Sequence, residues 1–351
     1  MREYVAGAPW RQSLVDLFED EWSSAFPSEL GLQAGQAPLF DDERIHWLVE
    51  QAGGLTGTRL LELGPLEGGH TSMLLAAGAD EVVGVEGNVR AFLRCLVAKE
   101  AVGMTGARFL LGEVGAYVDH ATSTWGDGAP AFDLVVASGV LYHLLDPADL
   151  VVQLGRLTDR VFVWTHYVDR DLLAASDPSR LLERLAPPVD KHLVDGTTIA
   201  YHPHGYALDA IQPSFCGGPA DTSVWMELAG LRSCLAAAGF TQQLDAFHQP
   251  DHPSGPAIAI LASRPDPRPA DRSRPAPMYA NTPPADSAQV AALPRAVDHA
   301  ALEAEVEGLR HALAEARAHA DALTGLLDRR DLRALVRKVV YPWREGTQAR
   351  A

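Results

Sequence analysis

The chain has 351 residues, 47% of them hydrophobic and 21% charged, which is ordinary globular composition at a length that allows a sizeable core. The sequence lacks the run of about 18 apolar residues that a membrane-spanning helix needs, and its N-terminal segment carries acids where a signal peptide would be apolar. We therefore expect a cytoplasmic protein. The formal net charge of −17 disfavours a nucleic-acid partner, because it would repel the phosphate backbone.

The cysteines are Cys95, Cys216 and Cys234, which lie far apart in the sequence. Their odd number and wide spacing predict neither a disulfide framework nor a CxxC metal site. We interpret them as buried thiols.

Short apolar runs alternate with helical segments after a helical lead-in and a loop over the first 40 residues. A helix is predicted over 40–54, with Asp41 or Asp42 as its cap, and a later one from about Trp225 to Ala238. The predicted strands are TRLLEL (58–63), EVVGVE (81–86), ARFLLG (107–112), FDLVVAS (132–138), VFVWTH (161–166), TQQLDAFH (241–248) and PAIAILASR (256–264). Strands alternating with helices of this size predict an α/β fold, in which helices cover both faces of a parallel sheet.

Four segments depart from this alternation. Residues 169–222 are rich in aromatic and histidine side chains and are predicted to form an insert or cap over the ligand crevice. The Pro- and Ala-rich residues 265–296 predict an extended linker that separates residues 1–264 from the C-terminus.

The heptad pattern of residues 297–330 predicts a coiled-coil helix that joins copies of the chain or binds a partner protein. The basic, amphipathic tail 331–351 is a candidate for peripheral contact with an anionic membrane.

The strongest motif is LLELGPLEGGH (60–70), where a predicted strand runs into a glycine-bearing turn and a helix. At the carboxyl end of a strand this geometry forms a crevice lined by helix N–H groups. Gly64 permits close approach of a ligand to the backbone, and Gly68 permits a tight turn. Glu62 at the floor favours a cationic amino-acid ligand, and Leu66 stands where the dinucleotide motif GxGxxG needs glycine. The motif therefore favours S-adenosylmethionine over a nicotinamide or flavin cofactor.

Two further acids follow predicted strands. Glu86 ends the second strand, close to the offset of about 20 residues at which an acid meets ribose hydroxyls in doubly wound folds. Glu113 follows the third strand, where it is a candidate acceptor for an adenine amino group with Val114 against the ring. A solvent-facing acid at a helix start is the alternative for both glutamates.

The second strong motif is FDLVVASGVLYHLLDP (132–147), in which a strand ends at Ser138, beside the expected position of the methyl donor. Tyr142 and His143 follow in the next turn. His143 is a candidate general base toward a hydroxyl, because the pKa of histidine lies near neutrality, and a structural histidine is the alternative.

Further polar and aromatic residues are candidates for the acceptor side. His166 ends the fifth strand as a second candidate base, and Tyr142, Tyr167 and Trp225 are candidate contacts with the substrate. His202 and His204 form an HxH pair, for which zinc is an alternative, but no matching carboxylates stand nearby in the sequence, and we predict no metal.

The order of ELGPLEGG, VVGVEGN, LLGEV and FDLVVASGVLYH resembles the class I S-adenosylmethionine-dependent methyltransferases, over roughly residues 41–264. The segments GVLYHLLDP and SVWMELAGLRSCLAAAGF (223–240) are similar to motifs of the tRNA wobble-uridine carboxymethyltransferase family and its bacterial relatives. The resemblance implies a Rossmann-like fold, with a mostly parallel sheet of seven strands and helices on both faces.

The resemblance also implies roles for individual residues. Glu62, Gly64 and Gly68 would hold the methionine part of the cofactor, with Ser138 lining the same side, and Glu86 would hold the ribose. Glu113 with Val114 would flank the adenine. Pro65 and Leu66 depart from the family, where many members have glycine.

These patterns together predict an S-adenosylmethionine-dependent methyltransferase that acts on an oxygen of a small molecule or sugar, such as a surface glycan or a secondary metabolite. His143 or His166 would take the proton of that oxygen. Nitrogen and carbon acceptors stay open, as do two other classes of protein: a tRNA-modifying enzyme of similar fold, and a non-catalytic scaffold protein that binds the cofactor.

Overall fold

A computed structural model describes residues 5–279, except 127, 178, 207–216 and 219. The chain divides into one unit over Met1–Ala280 and another over Asn281–Ala351. The predicted coiled coil (297–330) and basic tail (331–351) lie outside the described residues, as does most of the predicted linker.

The strands of the described part are β1 Arg59–Leu63, β2 Glu81–Glu86, β3 Ala107–Leu111, β4 Leu134–Ser138, β5 Arg160–His166, β6 Val189–His192, β7 Thr198–Gly205, β8 Thr222–Met226, β9 Gln242–Gln249 and β10 Ala257–Ser263. The α-helices are α1 Arg11–Val15, α2 Glu43–Ala52, α3 Gly69–Ala76, α4 Val89–Val102, α5 Val114–Trp125, α6 Pro147–Leu157, α7 Arg170–Ala175, α8 Leu181–Arg184 and α9 Leu228–Ala237. Short 3-10 turns span Asp16–Phe18, Ser28–Leu30 and Leu141–His143.

Seven strands form one sheet in the order β3-β2-β1-β4-β5-β10-β9. The strands β1 to β5 are mutually parallel, whereas β10 pairs antiparallel with both β5 and β9. The predicted seven-stranded, mostly parallel sheet is therefore confirmed. The order reverses between β1 and β4, and doubly wound sheets bind ligands at the carboxyl ends of the strands beside such a switch point.

Alternation along the strands divides the core between the two faces of this sheet. Leu61 and Val83 pack in the larger cluster, with residues of α5, α6 and α9. Leu60 and Phe162 face the other way and pack with residues of α2 and α3. Because both faces are covered, the central strands are buried along their whole length, which is why they read as continuous apolar runs.

The start of α2 confirms one of the two predicted caps. The Asp42 side chain accepts a hydrogen bond from the Arg44 amide nitrogen at 2.9 Å, and the helix ends at Gly53 with a φ of +75°. Cys95 and Cys234 are buried free thiols, as predicted, while Cys216 lies outside the described residues. Over the ranges that the structure covers, no helix combines the length and apolar character that crossing a membrane requires.

The segment between β5 and α9 folds as α7, α8 and a small antiparallel sheet in the order β6-β7-β8. We call this segment (169–226) the insert. Tyr201 and Val224 point from its sheet into the main core. Their neighbours His202 and Trp225 are directly opposite each other in the pairing of β7 with β8 and lie on the other face.

The predicted helix start at Trp225 is wrong. Trp225 lies in β8, and α9 begins three residues later, at Leu228. The local sequence TSVWM is β-branched and aromatic, and its backbone bonds are satisfied by pairing with β7. Only the pairing with β7 shows that these residues form a strand and not the first turn of the helix.

The predicted domain boundary at residue 264 stays a prediction; the described residues 265–279 pack against the amino ends of the main strands. Asp159, 1% exposed, accepts hydrogen bonds from Arg264 at 2.9 Å and from Arg268 at 2.7 Å. The Arg274 guanidinium lies 4.1 Å from the Trp125 ring centroid. Arginine pairs anchor this segment and Ala276 packs in the main core, contacts that its Pro- and Ala-rich composition does not indicate.

Candidate active site

Four side chains selected by the sequence share one face of the sheet at its carboxyl edge with Trp164. Glu62 pairs with Gly84, two residues before Glu86, so both acids project from the same side of the pleat. Ser138 is opposite Trp164, and Trp164 is two residues before His166. The edge therefore runs from two carboxylates at the tips of β1 and β2 to a serine and aromatic rings at the tips of β4 and β5.

The turn after β1 brings the backbone close to this edge. Gly64 and Gly68 have φ values of +64° and +78°, and a Cβ atom at either position would lie 3.0 Å from a neighbouring side chain. Leu66 is also left-handed, with a φ of +56°. Its amide nitrogen donates to Glu86 Oε2 at 3.0 Å. This hydrogen bond stabilises the left-handed backbone at a position where many members of the family that the chain resembles have glycine.

Glu62 forms a buried acid at the base of the turn. It is 2% exposed and accepts a hydrogen bond from the Thr71 hydroxyl. Its Oε1 lies 3.9 Å from Nδ1 of His70, whose Nε2 lies 2.9 Å from Asp42 Oδ2. Burial raises the pKa of Glu62. A cationic group placed beside it would restore the charged form of the carboxylate.

Glu86 links the glycine turn to the start of α4. It is 7% exposed, and its carboxylate accepts hydrogen bonds from the amides of Leu66 at 3.0 Å and Asn88 at 2.8 Å. Burial raises the pKa of Glu86, although these two hydrogen bonds act to lower it. A carboxylate has about four lone-pair sites, so Glu86 retains acceptor capacity for ligand hydroxyls.

Glu113 has a different environment from the other two acids. It is exposed and caps α5, with one oxygen accepting from the Gly115 amide at 2.9 Å and the other from Ala116 at 2.6 Å. Val114 beside it is 8% exposed and packs in the core. The predicted contacts of Glu113 and Val114 with adenine stay predictions.

Ser138 provides a test of whether the edge fits a ligand. Its hydroxyl oxygen is buried and has no hydrogen-bond partner among the described residues. Buried hydroxyls in folded proteins are normally paired, so an orphan at the strand tip indicates a place where a bound molecule supplies the partner. Together with the crowded glycine turn and the two acids, it fits a polar, cationic nucleoside.

Aromatic rings converge beyond Ser138, and we call this set the aromatic box. Its members are Tyr142, His143, Trp164, His166, His204, Tyr206, Trp225 and His252. His166 stacks on Trp225 with ring centroids 5.2 Å apart and an interplanar angle of 10°. The Tyr142 ring lies 4.7 Å from that of His166. The insert contributes His204, Tyr206 and Trp225 to this set, beside the ends of β4 and β5. That residues 169–222 cap a ligand crevice stays a prediction.

The two predicted bases, His143 and His166, are both neutral near pH 7. Burial, followed by repulsion from His166 and His204, lowers the pKa of His143 to about 4. Burial also lowers the pKa of His166 to about 4, although its Nδ1 lies 2.8 Å from the Gly255 carbonyl oxygen. Each ring therefore has one nitrogen lone pair available as a proton acceptor. Burial raises the pKa of Tyr142 to about 12, so its hydroxyl keeps its proton.

Two of the predicted residues do not join the box. Tyr167 is 2% exposed in the main core, and its hydroxyl lies 2.7 Å from Nε2 of His248 on β9. His202 is fully buried, with Nε2 3.0 Å from Glu227 Oε1. Across the described ranges, no three His, Cys, Asp or Glu side chains have an arrangement that could hold a metal ion.

Sequence reasoning did not identify Arg44, His252, Tyr206 or Glu67. The Arg44 guanidinium lies 4.4 Å from the Trp164 ring centroid and pairs with Asp42. Both Arg44 and His252 reach the box from distant parts of the chain, and no local pattern marks them. Tyr206 is one of several aromatic residues in the insert, and no local sequence pattern relates it to His143.

Glu67 lies within the glycine turn itself. It is fully buried and accepts hydrogen bonds from the amides of Ser23 at 3.0 Å and Ser24 at 2.8 Å, while Arg94 Nε lies 3.0 Å away. The N-terminal segment is thereby fastened over the turn. An acid inside a glycine-rich turn was the available signal, and it indicates a partner elsewhere in the chain.

No family model matches the chain. A tRNA U34 carboxymethyltransferase from Psychrobacter arcticus is 28% identical over 127 residues, which are 33% of this chain and 35% of the relative. One from Pseudomonas aeruginosa is 30% identical over 159 residues, which are 44% of this chain and 41% of the relative. The chain thus spans less than half the length of either curated relative.

Among solved structures, the N-terminal domain of EvdMO1, determined in the presence of SAH (S-adenosylhomocysteine) and D-fucose, superposes with a TM-score of 0.52. The identity is 22%, and the match covers 72% of this chain and 94% of that domain. The chain therefore shares the fold of this domain, and its seven-stranded, mostly parallel sheet is the one that the resemblance of its motifs implies.

Proposed function

We propose that this protein is an S-adenosylmethionine-dependent methyltransferase that transfers the methyl group to a hydroxyl oxygen of a small molecule or sugar. One observation carries the proposal. The buried acids Glu62 and Glu86 and the orphaned Ser138 hydroxyl line one face of the sheet edge, directly beside a box of neutral histidine rings.

The cofactor end follows from charge and hydrogen bonding. Glu62 would attract the cationic methionine end, since a nearby positive charge stabilises its carboxylate. Glu86 would accept hydrogen bonds from the ribose hydroxyls, and Ser138 would pair its free hydroxyl on the methionine side. The bound cofactor supplies a methyl group that is already activated on a sulfonium.

The acceptor end follows from the aromatic box. There His143 would take the hydroxyl proton while the acceptor oxygen bonds the methyl carbon and the sulfur–carbon bond breaks toward sulfur. A neutral imidazole suits this step, because a protonated ring has no lone pair. His166 is the second candidate for the same role. Burial of the box removes water, so the two partners meet in a desolvated, oriented pair.

The choice of a sugar or small molecule rests on the lining of the box and on charge. Aromatic faces and neutral polar edges suit a compact, uncharged ring. EvdMO1, which has a similar fold, was determined in the presence of D-fucose. The net charge of −17 opposes a polyanionic acceptor.

A tRNA-modifying enzyme is the second candidate, and one observation favours it: both curated relatives are tRNA U34 carboxymethyltransferases. This candidate predicts RNA binding that weakens steeply as salt rises, because each neutralised phosphate releases a counterion. RNA affinity measured at two salt concentrations decides between the acceptors. Micromolar or tighter tRNA binding at physiological salt would favour the RNA substrate.

Calorimetry with S-adenosylmethionine and S-adenosylhomocysteine tests the cofactor part. We expect binding of both. No heat with either ligand would end the methyltransferase proposal, whereas binding without turnover on any hydroxyl acceptor would point to a non-catalytic scaffold. Self-association or partner binding through 297–330 is also proposed from the heptad pattern, and light scattering of the full chain measures its oligomeric state.

A further inference from the structure

A hydroxyl group of the insert reaches the imidazole ring of His143. His143 lies in the turn after β4, and Tyr206 directly follows β7. Nδ1 of His143 lies 2.8 Å from the Tyr206 hydroxyl oxygen, and that hydroxyl donates to the Gly217 carbonyl oxygen at 3.0 Å. Tyr206 is 4% exposed, and burial raises its pKa, so the hydroxyl keeps its proton.

The hydrogen-bond directions around Tyr206 bear on the tautomer of His143, and the Ser223 side chain makes a further hydrogen bond to Tyr206 that acts to lower the pKa of its hydroxyl. A carbonyl oxygen only accepts, and a neutral phenol has one proton, so the proton that Tyr206 donates to Gly217 is not also donated to His143. The phenol oxygen is then the acceptor toward His143, and Nδ1 must carry the proton. Because the imidazole is neutral near pH 7, Nε2 holds the lone pair.

We propose that Tyr206 is a positioning residue for methyl transfer, which holds His143 as the Nδ1–H tautomer and so keeps Nε2 ready to accept the substrate proton. This inference rests on the proposed function. In the step, the hydroxyl proton moves to Nε2 and the oxygen pair forms the new carbon–oxygen bond. The sulfur keeps the electron pair of the broken bond, and the imidazolium later releases a proton to solvent.

The contact between the insert and this turn does not depend on Tyr206 alone. The Val224 amide nitrogen donates to the Leu144 carbonyl oxygen at 2.8 Å. A Cβ atom at Gly218 would lie 3.6 Å from the His143 carbonyl oxygen. Removing one phenol oxygen therefore leaves the insert fastened, and Tyr206→Phe tests the hydrogen bond without removing the ring.

The experiment is nitrogen NMR of the full chain labelled with ¹⁵N-histidine, combined with steady-state kinetics. In the wild-type chain we expect a protonated Nδ1 and an unprotonated Nε2 for His143. In Tyr206→Phe the two tautomers should mix, so the two nitrogen shifts approach each other. We expect kcat to fall about tenfold, the scale of one lost hydrogen bond, with affinity for S-adenosylhomocysteine unchanged.

The matched control is Tyr201→Phe on the same strand. The Tyr201 hydroxyl lies 2.6 Å from Asp146 Oδ1 and accepts from the Ala148 amide at 2.9 Å, on the core face of the small sheet. Its loss should lower the melting temperature while the His143 nitrogen shifts and kcat stay at wild-type values.

Two results overturn the proposal directly: an Nε2–H tautomer in the wild-type chain, or unchanged nitrogen shifts in Tyr206→Phe. A third result separates this inference from the function on which it rests. If the shifts change as expected but His143→Ala retains full turnover, the tautomer assignment holds and the base role of His143 fails. The positioning role then falls with that base role.

Discussion

The two ends of the same sheet edge are built in opposite ways. The proposed cofactor end consists of Glu62, Glu86 and the glycine turn, and it lies within one continuous stretch of about 30 residues that spans one βαβ unit. The aromatic box is assembled from the turn after β4, the end of β5, the insert and the loop before β10. The first end presents carboxylates, and the second presents neutral rings.

The contrast indicates a division of labour. Buried acids with few positive charges nearby attract a cationic ligand, because the ligand stabilises their charged form. A proton acceptor, by comparison, must be uncharged before the reaction, and burial among other histidines keeps it so. The same physical cause, desolvation, thus raises the pKa values of the acids and lowers those of the bases. Four measurements test this division, and each should affect one end alone.

The largest effect is expected for His143→Ala. Loss of a general base typically costs 100- to 10,000-fold in rate, so we expect a fall of at least about 100-fold in kcat. Affinity for S-adenosylhomocysteine should change less than about twofold, since His143 lies outside the cofactor end. Kinetics and calorimetry measure the two quantities. The exposed His192→Ala serves as the control, and full turnover in His143→Ala would remove that residue from the mechanism.

The second effect falls on the cofactor end. Glu86→Ala removes the acceptor for the ribose hydroxyls and for the Leu66 amide, so we expect affinity for S-adenosylhomocysteine to drop about tenfold to hundredfold. Glu86→Gln, which keeps the shape, should retain part of the affinity. Unchanged binding in Glu86→Ala, measured by calorimetry, would refute the ribose role.

A much smaller effect is expected for Glu113→Ala, at the tip of the third strand. Both of its oxygens already cap α5, so the change should cost about 1 kcal/mol of stability, as lost caps do. Affinity for the cofactor should fall no more than about threefold, the size of a weak exposed contact. A drop as large as that of Glu86→Ala would establish the adenine contact implied by the resemblance.

The smallest expected effect is the absence of a titration. Because the pKa of His143 is lowered to about 4, the ring is neutral throughout the range from pH 6 to 8, and kcat/KM should show no inflection near 6.5. The same shift destabilises the fold in acid: the unfolded chain binds this proton near 6.5, so the free energy of unfolding falls as the pH drops from about 6.5 to about 4. A turnover profile with a midpoint near 6.5 that is absent in His143→Gln would contradict the lowered pKa.

The fold and the grouping of Glu62, Glu86 and the glycine turn at one sheet edge were predictable because their information is local. Apolar runs separated by helical segments indicated all seven strands of the main sheet, with boundaries within two residues. Glu62, Gly64 and Gly68 stand in one motif, and parallel strands place their carboxyl ends at one edge by geometry alone. The start of α9 and the packing of residues 265–279 were missed, since a strand partner decided the first and arginine–carboxylate pairs decided the second.

The amino-acid sequence by itself determined which acids stand at the ends of which strands and where the glycine turn lies. Only the tertiary structure decided that Tyr206 would meet His143 and that Arg44 would cover Trp164. The physical reason is the distance along the chain over which each interaction acts. Backbone periodicity acts between neighbours, whereas a pKa or a tautomer depends on groups that folding brings together from distant positions.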